Sequence, residues 1–292
     1  MSAAVHTRSR LTVSPAGGSA GAYVTGVDLA QPTDPDAVAG IRKALLDHLV
    51  VALPDQKFSF DDMERFTDAL GGRDATPYVV PIEGRPFMIR ILKEPHEKVN
   101  FANSWHTDLS YLEAPPRYTV LYCLETPDHG GDTVWANQYM ALDTLSPGLR
   151  DTLMGLNAVH SAGPAYGTGA YLDSVKDKMS TKIAPSKDAY AEQTHPVVIE
   201  HPESGRAALY VNPVYTQRID GWSKAESDAL LGHLYRQSVN ENFTWRLKWA
   251  PGTLTIWDNR STQHFALNDY HGQRREMVRT SVKGDKPKAA RA

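Results

Sequence analysis

The chain has 292 residues, a single cysteine and a formal net charge of −3. That length supplies a sizeable core, and a lone Cys123 in an apolar run reads as a buried small hydrophobe in a reducing compartment. The near-neutral charge excludes an electrostatic nucleic-acid binder. No apolar run reaches membrane-span length and the first ten residues lack an apolar leader, so a cytoplasmic protein away from the membrane is expected.

The N-terminal ten or so residues and the tail from Lys283 are small, polar and basic, and both are expected to fray. A strand is predicted over Ala22–Asp28. A helix follows from Asp34 to Leu49, where Val38, Ile41, Leu45 and Leu49 recur at helical spacing. Val50–Leu53 before Pro54 reads as a short buried strand. A second helix starts at Ser59 with a partial cap signal, Asp62 standing where Glu or Gln completes the usual box, and stops at Gly71-Gly72. From Phe87 the pattern turns to strands, at 87–92, 117–124, 132–136, 156–161, 196–201, 207–212, 243–249, 253–257 and 275–282. Gly130-Gly131, Ser204-Gly205 and Pro251-Gly252 punctuate them. One more helix, Ser223 to Val239, opens with a capping box of Ser223 and Glu226. Residues 163–193 lack apolar periodicity and are expected to form an irregular lid. No repeat or linker divides the chain, so residues 1–292 read as one domain.

Chemistry concentrates in a few positions. His106 and Asp108 are two apart, and on a strand their side chains point the same way. Alone, His-x-Asp is most often a surface hydrogen-bonded pair. His264, from a different strand, completes two histidines and a carboxylate, the set that binds Fe(II) on one face and leaves other positions open. Zinc is a competing metal. Arg275 and Arg279 lie four apart, so on a strand they share a face from which Arg274 points away. Two inward cations call for anions, which a guanidinium holds through paired hydrogen bonds. Thr133 could add a hydroxyl to the same anion. His129 reads as solvated, and His195 and His201 as structural. His160, His233 and His271 have no partner at ligand spacing.

With these residues in order and spacing, the chain resembles the taurine/2,4-D (TauD/TfdA) family of Fe(II)- and 2-oxoglutarate-dependent dioxygenases. The likeness runs from Gly26-Val27-Asp28-Leu29 to Gly284-Asp285-Lys286-Pro287 and includes Trp257-Asp258-Asn259-Arg260. It implies a mainly β fold with flanking helices: a double-stranded β-helix, a distorted cupin-like jelly roll. It implies Fe(II) on His106, Asp108 and His264, which are thereby the catalytic residues. It also implies 2-oxoglutarate as cosubstrate on Arg275 and Thr133, O2 as oxidant, and an anionic substrate on Arg279. Asp108 implies hydroxylation, since related halogenases lack this carboxylate.

Tyr78, Tyr111, Tyr166 and Tyr215 are candidate walls of the substrate pocket, with core packing an even alternative for each. Thr76 and Ala102 stand where taurine enzymes carry a histidine and an asparagine, which argues against taurine itself. Aromatic walls with few polar groups suit a bulky body. The substrate expected first is therefore a small organic carboxylate such as an aryloxyalkanoate, whose hydroxylation could collapse to cleave an ether. An alkyl sulfate or sulfonate is the alternative within this chemistry. A non-catalytic, anion-binding cupin-like module and a zinc hydrolase are alternatives outside it. The expected partner is a small organic anion, and the expected assembly a homo-oligomer.

Overall fold

The computed structural model describes residues 11–291. Its centre is a nine-stranded sheet. Thr12–Pro15, Ala22–Thr25, Val50–Leu53, Leu254–Asp258, Tyr118–Glu125, Arg275–Val282, Arg85–Lys93 and Pro81–Ile82 follow one another across it, and Arg73–Asp74 also pairs with Arg275–Val282. Alternation decides what each face meets. Val120, Tyr122, Val278, Val282, Leu254 and Ile256 face outward, onto the helices Pro35–His48 and Phe60–Gly71. Leu121, Cys123, Met277 and Trp257 face inward, with Trp135, Trp245 and Trp249 from the other side of the core.

That other side is a three-stranded antiparallel sheet of Thr244–Leu247, Thr133–Asn137 and Thr262–Ala266. Two sheets closed over one apolar interior make the jelly-roll plan. A further core lies among Asn157–Ser161, Thr216–Ile219 and the helix Lys224–Gln237.

Several expectations need revision. The frayed N terminus falls on residues 1–10, outside those described. The tail from Lys283 is not frayed. Glu200 and Ala290 donate backbone N–H bonds to Lys288 and Val198, at 2.9 and 3.1 Å, so the tail runs beside the strand Val198–Glu200. The Ser59 cap is a complete reciprocal box, because the shorter Asp62 carboxylate still reaches back to the Ser59 N–H at 2.9 Å. Two helices, Gln138–Asp143 and Pro147–Met154, were not anticipated; the first is capped by the Asn137 side chain, which accepts from Tyr139 and Met140. Residues 163–193 are ordered as the short helices Gly163–Tyr166 and Tyr171–Val175, with 3₁₀ turns at Lys176–Lys178 and Lys187–Tyr190.

The turn between Leu254–Asp258 and Thr262–Ala266 is held by a buried charge knot. Arg260 donates to both Asp258 oxygens, at 2.9 and 2.6 Å, and His201 Nε2 lies 2.9 Å from Oδ2. Burial works against the Asp258 charge, yet Arg260 and His201 hold its carboxyl far below the usual range. Removing one partner strands a buried charge. Asp258→Ala should therefore cost about 3 kcal/mol or more. A lowered urea midpoint at unchanged slope checks this.

Candidate active site

The small sheet meets the irregular segment around His106 at a backbone bridge. His106 N donates to the His264 carbonyl at 3.0 Å, and His264 N to the His106 carbonyl at 2.8 Å. This puts the two imidazoles 4.1 Å apart between ring centroids. His106 was expected on a strand with Asp108. It makes only this bridge, and the chain then turns through Leu109 at φ 52°. Asp108 nonetheless points to the same centre, so that one potential ligand atom each of His106, Asp108 and His264 lies within 4.8 Å of the others.

The surroundings set the protonation of these groups. His106 Nδ1 donates to the Ser104 carbonyl at 2.7 Å, which orients the ring with Nε2 toward Asp108, 3.6 Å from Oδ1. Burial, and then the neighbouring His106, push His264 well below the ordinary histidine range, so it is neutral. Asp108 is fully buried. Burial would raise its pKa, but Arg279, 3.0 Å from Oδ1, together with His264 and His106 holds it well below the carboxylate range. Its other oxygen accepts from Thr119 at 2.7 Å, and Thr119 in turn accepts from Asn259 at 3.0 Å. Two imidazoles and one ionised carboxylate, two of the three oriented by outer hydrogen bonds, are a donor set that fits a divalent iron.

Arg275, Met277 and Arg279 lie inward on one strand, as their spacing requires. Arg275 and Thr133 line a small cavity together with Leu121, Ala266 and His264. Arg275 Nε donates to the Gly131 carbonyl at 3.1 Å, whereas buried Nη2 has no partner. Burial lowers its pKa, and the Asp132 carboxylate that opposes this is held by Arg246 at 2.6 Å. Gly131, at φ 69°, permits the close approach, since a Cβ there would come within 3.2 Å of both Arg275 Cδ and Tyr270. Thr133 accepts from Trp249 Nε1 at 3.0 Å. A buried guanidinium with a free donor beside a threonine is a fitting seat for a carboxylate.

A second cavity, of about 370 Å³, opens on the other side of the triad. His106, Asp108 and Arg279 meet it, with walls that include Phe101, Leu109, Tyr166, Leu172, Val214 and Tyr215. Arg279 borders both cavities, and its Nε and Nη2 are buried without partners. Of the four tyrosines named from sequence, Tyr166 and Tyr215 line this cavity. Tyr78 and Tyr111 stand behind them, Tyr78 stacked 5.7 Å from Tyr166 and Tyr111 edge-on 4.8 Å from Tyr215. Burial pushes the Tyr166 hydroxyl up to about 12, and those of Tyr111 and Tyr215 well above their ordinary value, so all stay protonated.

Sequence reasoning passed over Thr119, Asn259, Trp249 and Leu172. Thr119 left a trace: it is a polar residue at an inward position of an apolar strand. The segment 163–193 forms part of the cavity wall and is stitched to residues 78–80 by backbone bonds of 2.8 Å, Val80 to Lys182 and Ala184 to Tyr78.

Behind Asp108, Ser110 contacts buried His160 Nδ1 at 3.1 Å and accepts from Asn212 at 3.0 Å. Burial, with His195 nearby, lowers the His160 pKa to about 3. Unfolded, it would titrate near 6.5. The unfolded chain therefore binds the extra proton between these values, so stability is full above about 6.5 and falls with pH by up to about 1.4 kcal/mol per unit. Unfolding midpoints of the metal-free protein between pH 7 and 5 should show this slope, to which His264 and His195, also depressed by burial, add; His160→Asn should reduce it by one proton's share.

The model of the taurine catabolism dioxygenase TauD, TfdA family matches residues 12–281. An alkylsulfatase of Acinetobacter baylyi is 34% identical over 269 residues, covering 92% of this chain and 83% of that protein. An alpha-ketoglutarate-dependent sulfate ester dioxygenase of Pseudomonas putida is 36% identical over 279 residues, with coverage of 95% and 91%. Among solved structures, a taurine dioxygenase from Burkholderia xenovorans superposes with a TM-score of 0.80 at 31% identity, over 96% of this chain and 94% of that one. The chain is thus a member of the TauD/TfdA family, an oxidoreductase that uses Fe(II), 2-oxoglutarate and O2.

Proposed function

We propose that this dioxygenase acts on an alkyl sulfate ester, hydroxylating the carbon that bears the sulfate oxygen. The observation that carries the reading is Arg279: a buried guanidinium with two unpartnered nitrogens, beside Asp108 and at the edge of a cavity whose apolar wall residues include Phe101, Leu109, Leu172 and Val214. A guanidinium accepts sulfate or carboxylate alike through paired hydrogen bonds. The similarity to an alkylsulfatase and to a sulfate ester dioxygenase over most of both chains supports the sulfate. It favours the alternative read from sequence over the aryloxyalkanoate expected first. On the side of an aryl body stand the pair of tyrosines, Tyr166 and Tyr215, and a more distant likeness, at 26% identity, to a putative 2,4-D dioxygenase from Burkholderia xenovorans.

In this reading His106, Asp108 and His264 hold the iron, and Arg275 with Thr133 holds the far carboxylate of 2-oxoglutarate. Iron, once bound, supplies oxygen activation coupled to oxidative decarboxylation of the cosubstrate to succinate and CO2. The chain's own residues do the positioning. Thr119 and Asn259 fix the Asp108 carboxylate, and Ser104 fixes the tautomer of His106. Arg279 anchors the sulfate so that the adjacent C–H faces the metal, and the apolar walls exclude water from the alkyl chain. The hydroxylated carbon then carries both OH and O-sulfate. Loss of the hydroxyl proton forms the carbonyl as the C–O bond to sulfate breaks, which yields an aldehyde and inorganic sulfate.

Succinate release across a panel of alkyl sulfates, alkyl sulfonates and aryloxyalkanoates should be greatest for alkyl sulfates, with stoichiometric sulfate; preferred turnover of aryloxyalkanoates would overturn this substrate class. Anaerobic Fe(II) plus 2-oxoglutarate should give a visible charge-transfer band, which His106→Ala abolishes. Arg279→Met should raise the KM for alkyl sulfate about thirtyfold or more, a larger loss than in 2-oxoglutarate affinity, as expected for the loss of one partner of a buried charge pair.

A further inference from the structure

On the inner face of the large sheet, the strands Arg275–Val282 and Arg85–Lys93 pair in register as Arg279 with Ile89, Met277 with Ile91, and Arg275 with Lys93. Cross-strand partners in an antiparallel pair share a face, with Cβ atoms about 5 Å apart. A second cation therefore stands next to Arg275. Lys93 is 3% exposed, and its ammonium nitrogen is buried without a hydrogen-bond partner. It lies 4.3 Å over the ring centroid of Tyr270. The same ring packs against Gly131, whose carbonyl holds Arg275 Nε. Glu97 is the acid that acts on Lys93, and it already accepts from the Ser180 hydroxyl at 2.6 Å and the Glu94 amide at 3.2 Å.

A buried ammonium without a hydrogen-bond partner destabilises a fold, and a neutral side chain of the same shape would be tolerated better. Glu97 offsets the charge of Lys93 only at a distance, with both carboxylate oxygens already engaged, and Arg275 beside Lys93 keeps a free donor, so the pair has capacity for a further anion. We propose that Lys93 is a specificity-determining residue for the cosubstrate, adding a second positive charge beside Arg275 that favours 2-oxo acids with a distal carboxylate. Lys93 does not border the small cavity, so it acts through its field and through the Tyr270 ring rather than by direct contact. The inference rests on the assignment of Arg275 to the cosubstrate made under Proposed function.

The test uses the full chain, loaded with Fe(II) without oxygen and titrated with 2-oxoglutarate on the charge-transfer band. Thermal unfolding of the metal-free protein is measured alongside. Lys93→Met should weaken 2-oxoglutarate binding roughly five- to tenfold, the effect of one charge at short range in a partly screened interior. The thermal midpoint should stay level or rise, and Lys93→Arg should retain most of the affinity. An affinity within twofold of the parent overturns the inference. So does a lowered midpoint or failure of Lys93→Met to fold, either of which assigns the lysine to structure. Arg275→Gln separates the two readings: if it leaves 2-oxoglutarate binding intact, the cosubstrate seat itself is misassigned. If it weakens binding while Lys93→Met does not, only the role of Lys93 falls.

Discussion

The site depends on one pair of backbone hydrogen bonds, those between His106 and His264. His264 belongs to the small sheet, while His106 lies on an irregular segment that touches that sheet through this bridge. Reciprocal bonds fix register as well as distance, and a slip of one residue would turn an imidazole away. The carboxylate is tied to the opposite wall, through Thr119 on the large sheet and Asn259 beyond it. The three proposed ligand side chains thus span the small sheet and the wall opposite, and any loosening of one against the other would reach their mutual geometry directly.

The interior carries charge that a purely structural core would avoid. Arg275, Arg279 and Lys93 are all buried, and each keeps at least one nitrogen without a partner. Such groups cost stability. The tryptophans packed between the sheets and the outward apolar face against two helices supply the compensating burial. The arrangement suits a protein whose ligands bring the missing negative charge, and it predicts that the ligand-free chain is its least stable form.

Much of this was legible from residue order. The helices at Pro35–His48, Phe60–Gly71 and Lys224–Gln237 were marked by periodicity and caps, and the long strands by turns. The triad and the two arginines were marked by residue type at strand spacing. What escaped reading was set by tertiary contact. His106 and Asp108 converge from a segment that is no regular strand, and the chain then leaves through a left-handed Leu109, a backbone state with no signature in a leucine. Tyr78 and Tyr111 look no different in sequence from Tyr166 and Tyr215, and only packing separates a second layer from a cavity wall. The tail from Lys283 has the composition of a frayed end, but a strand edge at Val198–Glu200 was waiting for it. Lys93 gave no signal, because an alternating strand hides which face will be closed.

The two inward arginines share a single strand, and this has a bearing on how such a pocket can change. Four residues of extended chain separate them by about 13 Å. Because side chains alternate, that spacing can be altered only by two residues at a time, in steps of about 6.6 Å. The gap between the two proposed anion seats is therefore quantised and too coarse to adjust to a new substrate by drift. Fine adjustment is left to parts outside the ladder: the 163–193 wall with Tyr166 and Leu172, and the Phe101–Ala102 turn bordering both cavities. Divergence among such enzymes should accumulate there while the ladder stays fixed.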